Sequence, residues 1–244
     1  MSVDAHCHID LHADPESTVQ AAVDAGIRVV AVTTTPAAFP VSSKYSDESK
    51  GVFPALGMHP EVVGLRPQDI EQFGQHLDRV AWVGEVGLDG SRRFAPTWNL
   101  QVDVFRRVLA ECTKAGGRLL SIHSRAAAGS VLEVLKEYPD AGTPVFHWFS
   151  GKTEELTQCV DYGSYFSVNS QMLDSKSGAR IAARIPLNRL LTESDAPFAR
   201  TDGRCSVVGD VIGIVRKIAR LRGLQHDEVS HAVDENFAIL QQHS

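Results

Sequence analysis

Eight short β-rich runs, separated by longer stretches with helical periodicity, recur along the whole chain, at 3–9, 27–34, 52–57, 81–88, 118–123, 143–149, 164–168 and 188–194. Runs such as IRVVAVTT (27–34) are apolar and β-branched almost throughout, as a strand buried on both faces of a parallel sheet requires. Between them lie helical patterns. Asp14 is placed to cap a helix that Pro15 and Glu16 begin and Gly26 ends. The stretch 96–116 carries Leu100, Val104, Val108 and Leu109 at helical spacing and stops at Gly116 and Gly117. Two further helices are expected over 209–223 and 225–242. Strand–helix alternation implies a parallel sheet, and eight such units in 244 residues imply a closed TIM-type (β/α)8 barrel. An open doubly wound sheet is the runner-up, but the Gly-x-Gly-x-x-Gly fingerprint that would favour a dinucleotide fold is missing. No repeat, low-complexity run or linker divides the chain, so 1–244 reads as a single domain.

The remaining totals narrow the function classes. A chain of this size buries a large core and needs neither disulfide nor metal to hold its fold. Its four cysteines, Cys7, Cys112, Cys159 and Cys205, show no C-x-x-C spacing, which argues against a zinc ribbon and fits a reducing cytosol. MSVDAHC runs straight into a strand with no basic and apolar leader, and no apolar run reaches transmembrane length. A soluble, cytoplasmic protein without a membrane partner is expected. The net charge of -6 counts against a passive nucleic-acid-binding module. It counts less against an enzyme in which bound cations receive the phosphate.

Chemistry collects at the strand ends. In DAHCHID, His6 and His8 are two residues apart, so on a strand both imidazoles project from one face. Glu85 stands near the end of the fourth strand, His123 and His147 end the fifth and sixth, and Asp195 follows the eighth. Any one of these alone reads more naturally as a satisfied core residue. Six converging on the C-terminal face, where barrel active sites are built, read as a metal centre. Six ligands exceed the needs of one tetrahedral ion but suit two ions sharing a carboxylate. His6, His8 and Asp195 would hold one ion, His123 and His147 the other, and Glu85 would bridge. Mixed nitrogen and oxygen ligands suit Zn²⁺ or Mn²⁺, and Mg²⁺ also serves if substrate oxygens complete the shell.

In their order and spacing, DAHCHID, GMHP, GEVGLD, SIHSR, HWFSG, TESDAPF and ENFAIL resemble the signature set of the TatD-type metal-dependent deoxyribonucleases. These belong to the amidohydrolase-like barrels with paired metal sites. The segments VTTTP, GEVGLDGS, GRLLSIHSR and HWFSG are further similar to the TatD-like component of Qat anti-phage defence systems. The resemblance implies that His6, His8, Glu85, His123, His147 and Asp195 are metal ligands, with Glu85 and Asp195 catalytic. Asp195 is then also the carboxylate that takes a proton from the attacking water. It implies that His59 lies near the substrate phosphate; the alternative is a loop histidine without contact. Ser124 and Arg125 follow a ligand on a loop that could meet phosphate, although Arg125 could equally pair with a carboxylate. Asn236 and Phe237 read as packing residues, and Asp4 as a group orienting a ligand. Cys7, between two ligands on the alternate face, should point away from the site.

The chain departs from the family pattern in two places. After Asp195 it reads APFARTDGRCSVVGDV, shorter than usual and without the Asn-Glu-Pro ending, which leaves Arg200 and Arg204 as candidate phosphate contacts. The stretch 36–50 is also short for the family's helix. The implied activity is metal-assisted phosphodiester hydrolysis of DNA, 3′ to 5′ on single strands, with a protein partner if the defence resemblance holds. Two alternatives stand beside it. One is hydrolysis of a small ester or amide by the same metals, since fold does not fix function. The other is a partner-dependent subunit of a defence complex.

Overall fold

The computed structural model describes residues 2–242. Strands β1 (Ser2–Cys7), β2 (Ile27–Ala31), β3 (Val52–Leu56), β4 (Trp82–Gly87), β5 (Arg118–His123), β6 (Gly142–His147), β7 (Tyr165–Val168) and β8 (Leu190–Thr192) form one sheet in sequence order. Every pairing along it is parallel. Each crossover carries helix, as parallel pairing requires, the longest being Trp98–Lys114 between β4 and β5. The (β/α)8 architecture follows the sequence reading.

The β8–β1 seam is closed mostly beyond the short last strand. Thr192 Oγ1 donates to the Val3 carbonyl at 2.5 Å, and Ser194 N–H donates to Asp4 Oδ1 at 2.8 Å. Asp195 N–H donates to the His6 carbonyl and His8 N–H to the Ala196 carbonyl, both at 2.9 Å. The terminal helix His226–Gln242 covers the opposite, N-terminal end. Asn236 Nδ2 donates to the carbonyls of Leu187 and Leu190, both at 2.8 Å. The buried Phe237 ring stacks on Trp82 at 5.9 Å and lies under the Arg28 guanidinium at 4.7 Å. Trp82, Arg28 and Leu190 all stand at or near the starts of their strands, so ENFAIL plugs the barrel floor, the packing role expected of it. The side chains able to hold a metal gather instead at the C-terminal mouth.

Several boundaries differ from the sequence reading. The strand expected over 188–194 shrinks to Leu190–Thr192, preceded by a 3-10 turn at Leu187–Arg189. Asp195 is thus three residues past its strand, and His8, expected on the first strand, lies one residue beyond it. The chain turns out of the ladder there, with Asp195 at φ +45°, a left-handed conformation that aspartate tolerates better than most residues. Stretch 36–50 forms a four-residue helix, Phe39–Ser42, and two 3-10 turns. After Asp195 the chain makes an unexpected antiparallel ribbon of Arg200–Thr201 with Arg204–Cys205.

Candidate metal centre

Four nitrogen and oxygen atoms meet where the seam closes. His6 Nε2 and His8 Nε2 are 3.3 Å apart. Glu85 Oε2 lies 3.3 Å from the first and 3.2 Å from the second. Asp195 Oδ1 lies 3.7 and 3.8 Å from the same two nitrogens. Ligand atoms about 2.0–2.2 Å from a tetrahedral ion stand about 3.3–3.6 Å from one another, so this spacing fits a shared cation. Same-face projection of i and i+2 on a strand explains how His6 and His8 come together. His6 is oriented from behind by Ser121, whose Oγ is 2.7 Å from Nδ1.

Glu85 turns its other oxygen to a second set of imidazoles. Toward Oε1, His123 Nδ1 donates at 2.6 Å and His147 Nε2 at 2.9 Å, while His59 Nε2 stands at 3.1 Å. One carboxylate thus faces two groups of nitrogens, one with each oxygen. The groups touch through the His6 and His147 rings, which stack at 3.9 Å and 11°. Backbone approach makes the arrangement possible. Gly87, two residues past Glu85, has φ +132°, and a Cβ there would lie 2.1 Å from the His123 carbonyl oxygen.

Two outer carboxylates that the sequence reading did not single out stand behind the second set, Asp89 hydrogen-bonded to one ring and Glu193 near another. His123 Nε2 donates to Asp89 Oδ2 at 2.9 Å. Asp89 is itself fixed, its backbone N–H donating to Gln101 Oε1 and its Oδ1 accepting from Ser91 N–H, both at 2.8 Å. Glu193 Oε1 stands 3.5 Å from His147 Nδ1 and accepts from Asn169 Nδ2 and the Trp148 N–H at 2.9 and 3.1 Å. Ser167 donates to its other oxygen. The Asp of GEVGLD and the Glu of TESDAPF were the available signals, each next to or near a ligand within its own motif.

Charge balance supports a cation. Glu85, Asp89, Glu193 and Asp195 are buried, and the ion pairs they make among the described residues are with imidazoles alone. Burial works against the Glu85 charge but is outweighed by His59, His147 and His6, which hold its carboxyl well below the usual range. Burial likewise opposes charge on His147, yet Glu85 and Glu193 raise it well above the ordinary imidazole value. His6 is driven well below that value by burial and by His147. Burial pushes the Asp195 carboxyl up to about 7 against the pull of His147 and His8. Protons and a divalent ion therefore compete for this cluster, and ion binding would displace protons from it.

The remaining candidates take different places. A pocket of ≈ 510 Å³ opens over the cluster, and Ser124, Arg125 and His59 line it with Trp148, Gln171 and Phe198. Ser124 Oγ is buried without a hydrogen-bond partner. His59 Nδ1 accepts from Glu61 N–H at 3.1 Å, capping the turn Pro60–Val63, so its ring is held on both sides. The structure does not bring Arg200 and Arg204 to the pocket. Arg200 curls onto the Gly203 carbonyl at 3.1 Å within its own ribbon, and Arg204 grips both oxygens of Asp210 at 2.9 and 2.5 Å. The ribbon engages both side chains locally, Arg204 in an ion pair and Arg200 through one hydrogen bond to a carbonyl. Cys7 is buried against the Ala196 carbonyl at 3.8 Å, and burial keeps its thiol well above the usual value, so it offers no thiolate. Asp4 bonds backbone rather than ligand side chains.

A parallel eight-stranded barrel with imidazoles and carboxylates converging at the C-terminal strand ends defines a metal-dependent hydrolase. The chain belongs to the TatD related DNase family, whose model matches residues 3–242. It is 29% identical to the human protein named deoxyribonuclease TATDN3, over 96% of this chain and 92% of that one. It is 28% identical to the Enterobacter lignolyticus protein named 3′-5′ ssDNA/RNA exonuclease TatD, over 75% of each chain. The crystal structure of YjjV, a TatD homologue from Escherichia coli K12, superposes with a TM-score of 0.87 at 25% identity, covering 98% of this chain and 97% of that one.

Proposed function

We propose that the protein is a two-metal phosphodiester hydrolase that acts on DNA, on single strands from the 3′ end. The observation that carries this reading is the division of Glu85, whose Oε2 faces His6 and His8 while Oε1 faces His123 and His147. His6, His8 and Asp195 would hold one ion, His123 and His147 the other, and Glu85 both. Divalent ions at such a site lower the pKa of water and offset charge on a phosphoryl group. Asp195 takes the proton of the attacking water at a carboxylate oxygen. Asp89 and Glu193 keep the His123 and His147 rings in place, and Ser124 and Arg125 receive phosphate oxygens at the pocket wall. The name of the Enterobacter relative supports the strand preference and polarity.

The same reading places the chain as one catalytic domain in a reducing, cytoplasmic compartment, which its unpaired cysteines support. Similarity of VTTTP, GEVGLDGS, GRLLSIHSR and HWFSG to the TatD-like Qat component supports a place in anti-phage defence, beside a protein partner.

The test is hydrolysis of 3′-labelled and 5′-labelled single-stranded DNA by metal-stripped protein, with Mg²⁺, Mn²⁺ or Zn²⁺ restored and Glu85→Ala as control. Ion-dependent cleavage that the control lacks, with products shortening from the 3′ end, is expected. Equal cleavage by Glu85→Ala, or by protein kept free of metal, would overturn the mechanism.

A further inference from the structure

Phe198 is 59% exposed, although it stands three residues beyond Asp195 at the pocket rim. Its position is fixed. The Phe198 and Ala199 N–H groups both donate to the Asp195 carbonyl, at 2.8 and 3.0 Å, and Ala199 then anchors the Arg200–Cys205 ribbon through Ser206 N–H at 2.9 Å. The ring meets the His8 imidazole edge to face, at 5.0 Å and 85°. A rigidly mounted aromatic ring beside a buried ion-binding cluster, with most of its surface in solvent, contributes little to the core.

The charge around the pocket sharpens the point. Arg125 is the one lysine or arginine among the lining residues. On the ribbon side, Arg200 and Arg204 are bound to Gly203 and Asp210. A nucleic-acid strand leaving the metal centre past Phe198 therefore meets neither guanidinium within the pocket. It finds an aromatic face, and Trp148 lines the same pocket, its backbone at φ +39° and its N–H held by Glu193. Every nucleobase has a π-face, and stacking on such a platform tolerates any sequence.

We propose that Phe198 is a specificity-determining residue, the stacking platform for one unpaired nucleobase next to the scissile phosphate. This rests on the nucleic-acid reading of the same site. A base inside a duplex is stacked on both faces and tied at its edge, so it must leave the helix before the ring can take it, and the platform favours single strands.

The test is equilibrium binding of single-stranded DNA pentanucleotides, each with 2-aminopurine at one position, to the protein in EDTA, where no hydrolysis proceeds. For one position, binding to the wild type should quench the fluorescence. Phe198→Ala should bind about tenfold more weakly without that quenching, and Phe198→Tyr should restore both. An abasic residue at that position should weaken wild-type binding about tenfold and leave Phe198→Ala unchanged. Equal affinity and quenching in wild type and Phe198→Ala would overturn the platform, as would a wild type that binds no oligonucleotide. Binding and quenching without hydrolysis under any ion would instead overturn the hydrolase reading and leave the platform standing.

Discussion

The backbone N–H of Asp195 donates to the carbonyl of His6 at 2.9 Å, so one hydrogen bond joins the first and last strands of the barrel at two candidate ligands. Two residues on, His8 N–H donates to the Ala196 carbonyl at the same distance. Closing the barrel therefore also brings residues of the candidate ion site together. Although the chain has left the sheet at His8 and Asp195, these backbone hydrogen bonds fix both residues, and preorganisation of this kind is what electrostatic catalysis requires.

Asp4 serves that seam. Its Oδ1 accepts from Ser194 N–H at 2.8 Å, one residue before Asp195, and faces His6 N–H at 3.4 Å. Asp4→Ala leaves a buried N–H unsatisfied and frees the segment carrying Asp195. Metal affinity should fall by about ten- to a hundredfold, the range found when groups behind a ligand are removed. Asp4→Asn keeps the acceptor oxygen and should retain most of the affinity. Titration of apo-protein with Zn²⁺ by calorimetry checks both, and equal affinity for Asp4→Ala and wild type would remove Asp4 from this role.

How much of this was legible in the sequence follows from what kind of signal each residue carries. The barrel was readable because buried parallel strands and amphipathic helices leave different periods. His6 and His8 were readable because a two-residue spacing fixes a common face. Glu85, His123, His147 and Asp195 gained their meaning from position at strand ends. Asp89 and Glu193 were not singled out because their work is to hold imidazoles brought near by tertiary folding, and Gln101, which fixes Asp89, lies on a helix whose pattern announces only packing. Arg200 and Arg204 looked free because a four-residue turn onto Gly203 and a bond to Asp210 leave no periodic trace. Phe198 carried no metal-type signal at all; its exposure is a property of the folded rim.

Metal removal should leave the fold in place but lower its stability. The barrel core is continuous without the ion cluster, while Glu85, Asp195 and the imidazoles are buried together. An ion present at about a hundred times its dissociation constant stabilises the folded state by about 2.7 kcal/mol. For a domain of this size that corresponds to about 5–10 °C in Tm. Calorimetry with and without EDTA should show that shift, with an unchanged far-ultraviolet circular dichroism spectrum at 25 °C, a temperature chosen as roughly ambient. A chelated protein unfolded at that temperature would show that the barrel depends on its ions.

Asn236 predicts a stability effect far from the site. Its Nδ2 donates to Leu187 and Leu190 carbonyls where the floor meets β8. Asn236→Ala takes the donor from the buried Leu190 carbonyl, while the Leu187 carbonyl keeps its bond from the Leu190 N–H, and should cost about 1–3 kcal/mol in urea unfolding, with an unchanged m-value. Asn236→Asp sets a carboxylate against the same carbonyls and should cost more. Metal affinity in both folded variants should match wild type, because the floor and the mouth lie at opposite ends of the barrel. A loss in Asn236→Ala below about 0.5 kcal/mol would mean that water replaces the amide there.

The pocket's scarcity of cations has a consequence in salt. Single-stranded binding loses affinity with a log–log slope of about -0.7 for each phosphate neutralised. With Arg125 the single guanidinium lining the pocket, oligonucleotide binding in EDTA should show a slope near that of one contact. Arg125→Ala should weaken binding about tenfold at low salt and flatten the slope toward zero. Arg204→Ala breaks a bond to Asp210 on the ribbon and should leave the slope at its wild-type value. Fluorescence anisotropy across a tenfold range of salt decides the matter. A steep wild-type slope, equal to about four or five contacts, would mean that the strand runs over a basic surface outside the pocket; a shallow one means that it is held at its end, by one phosphate and a stacked base.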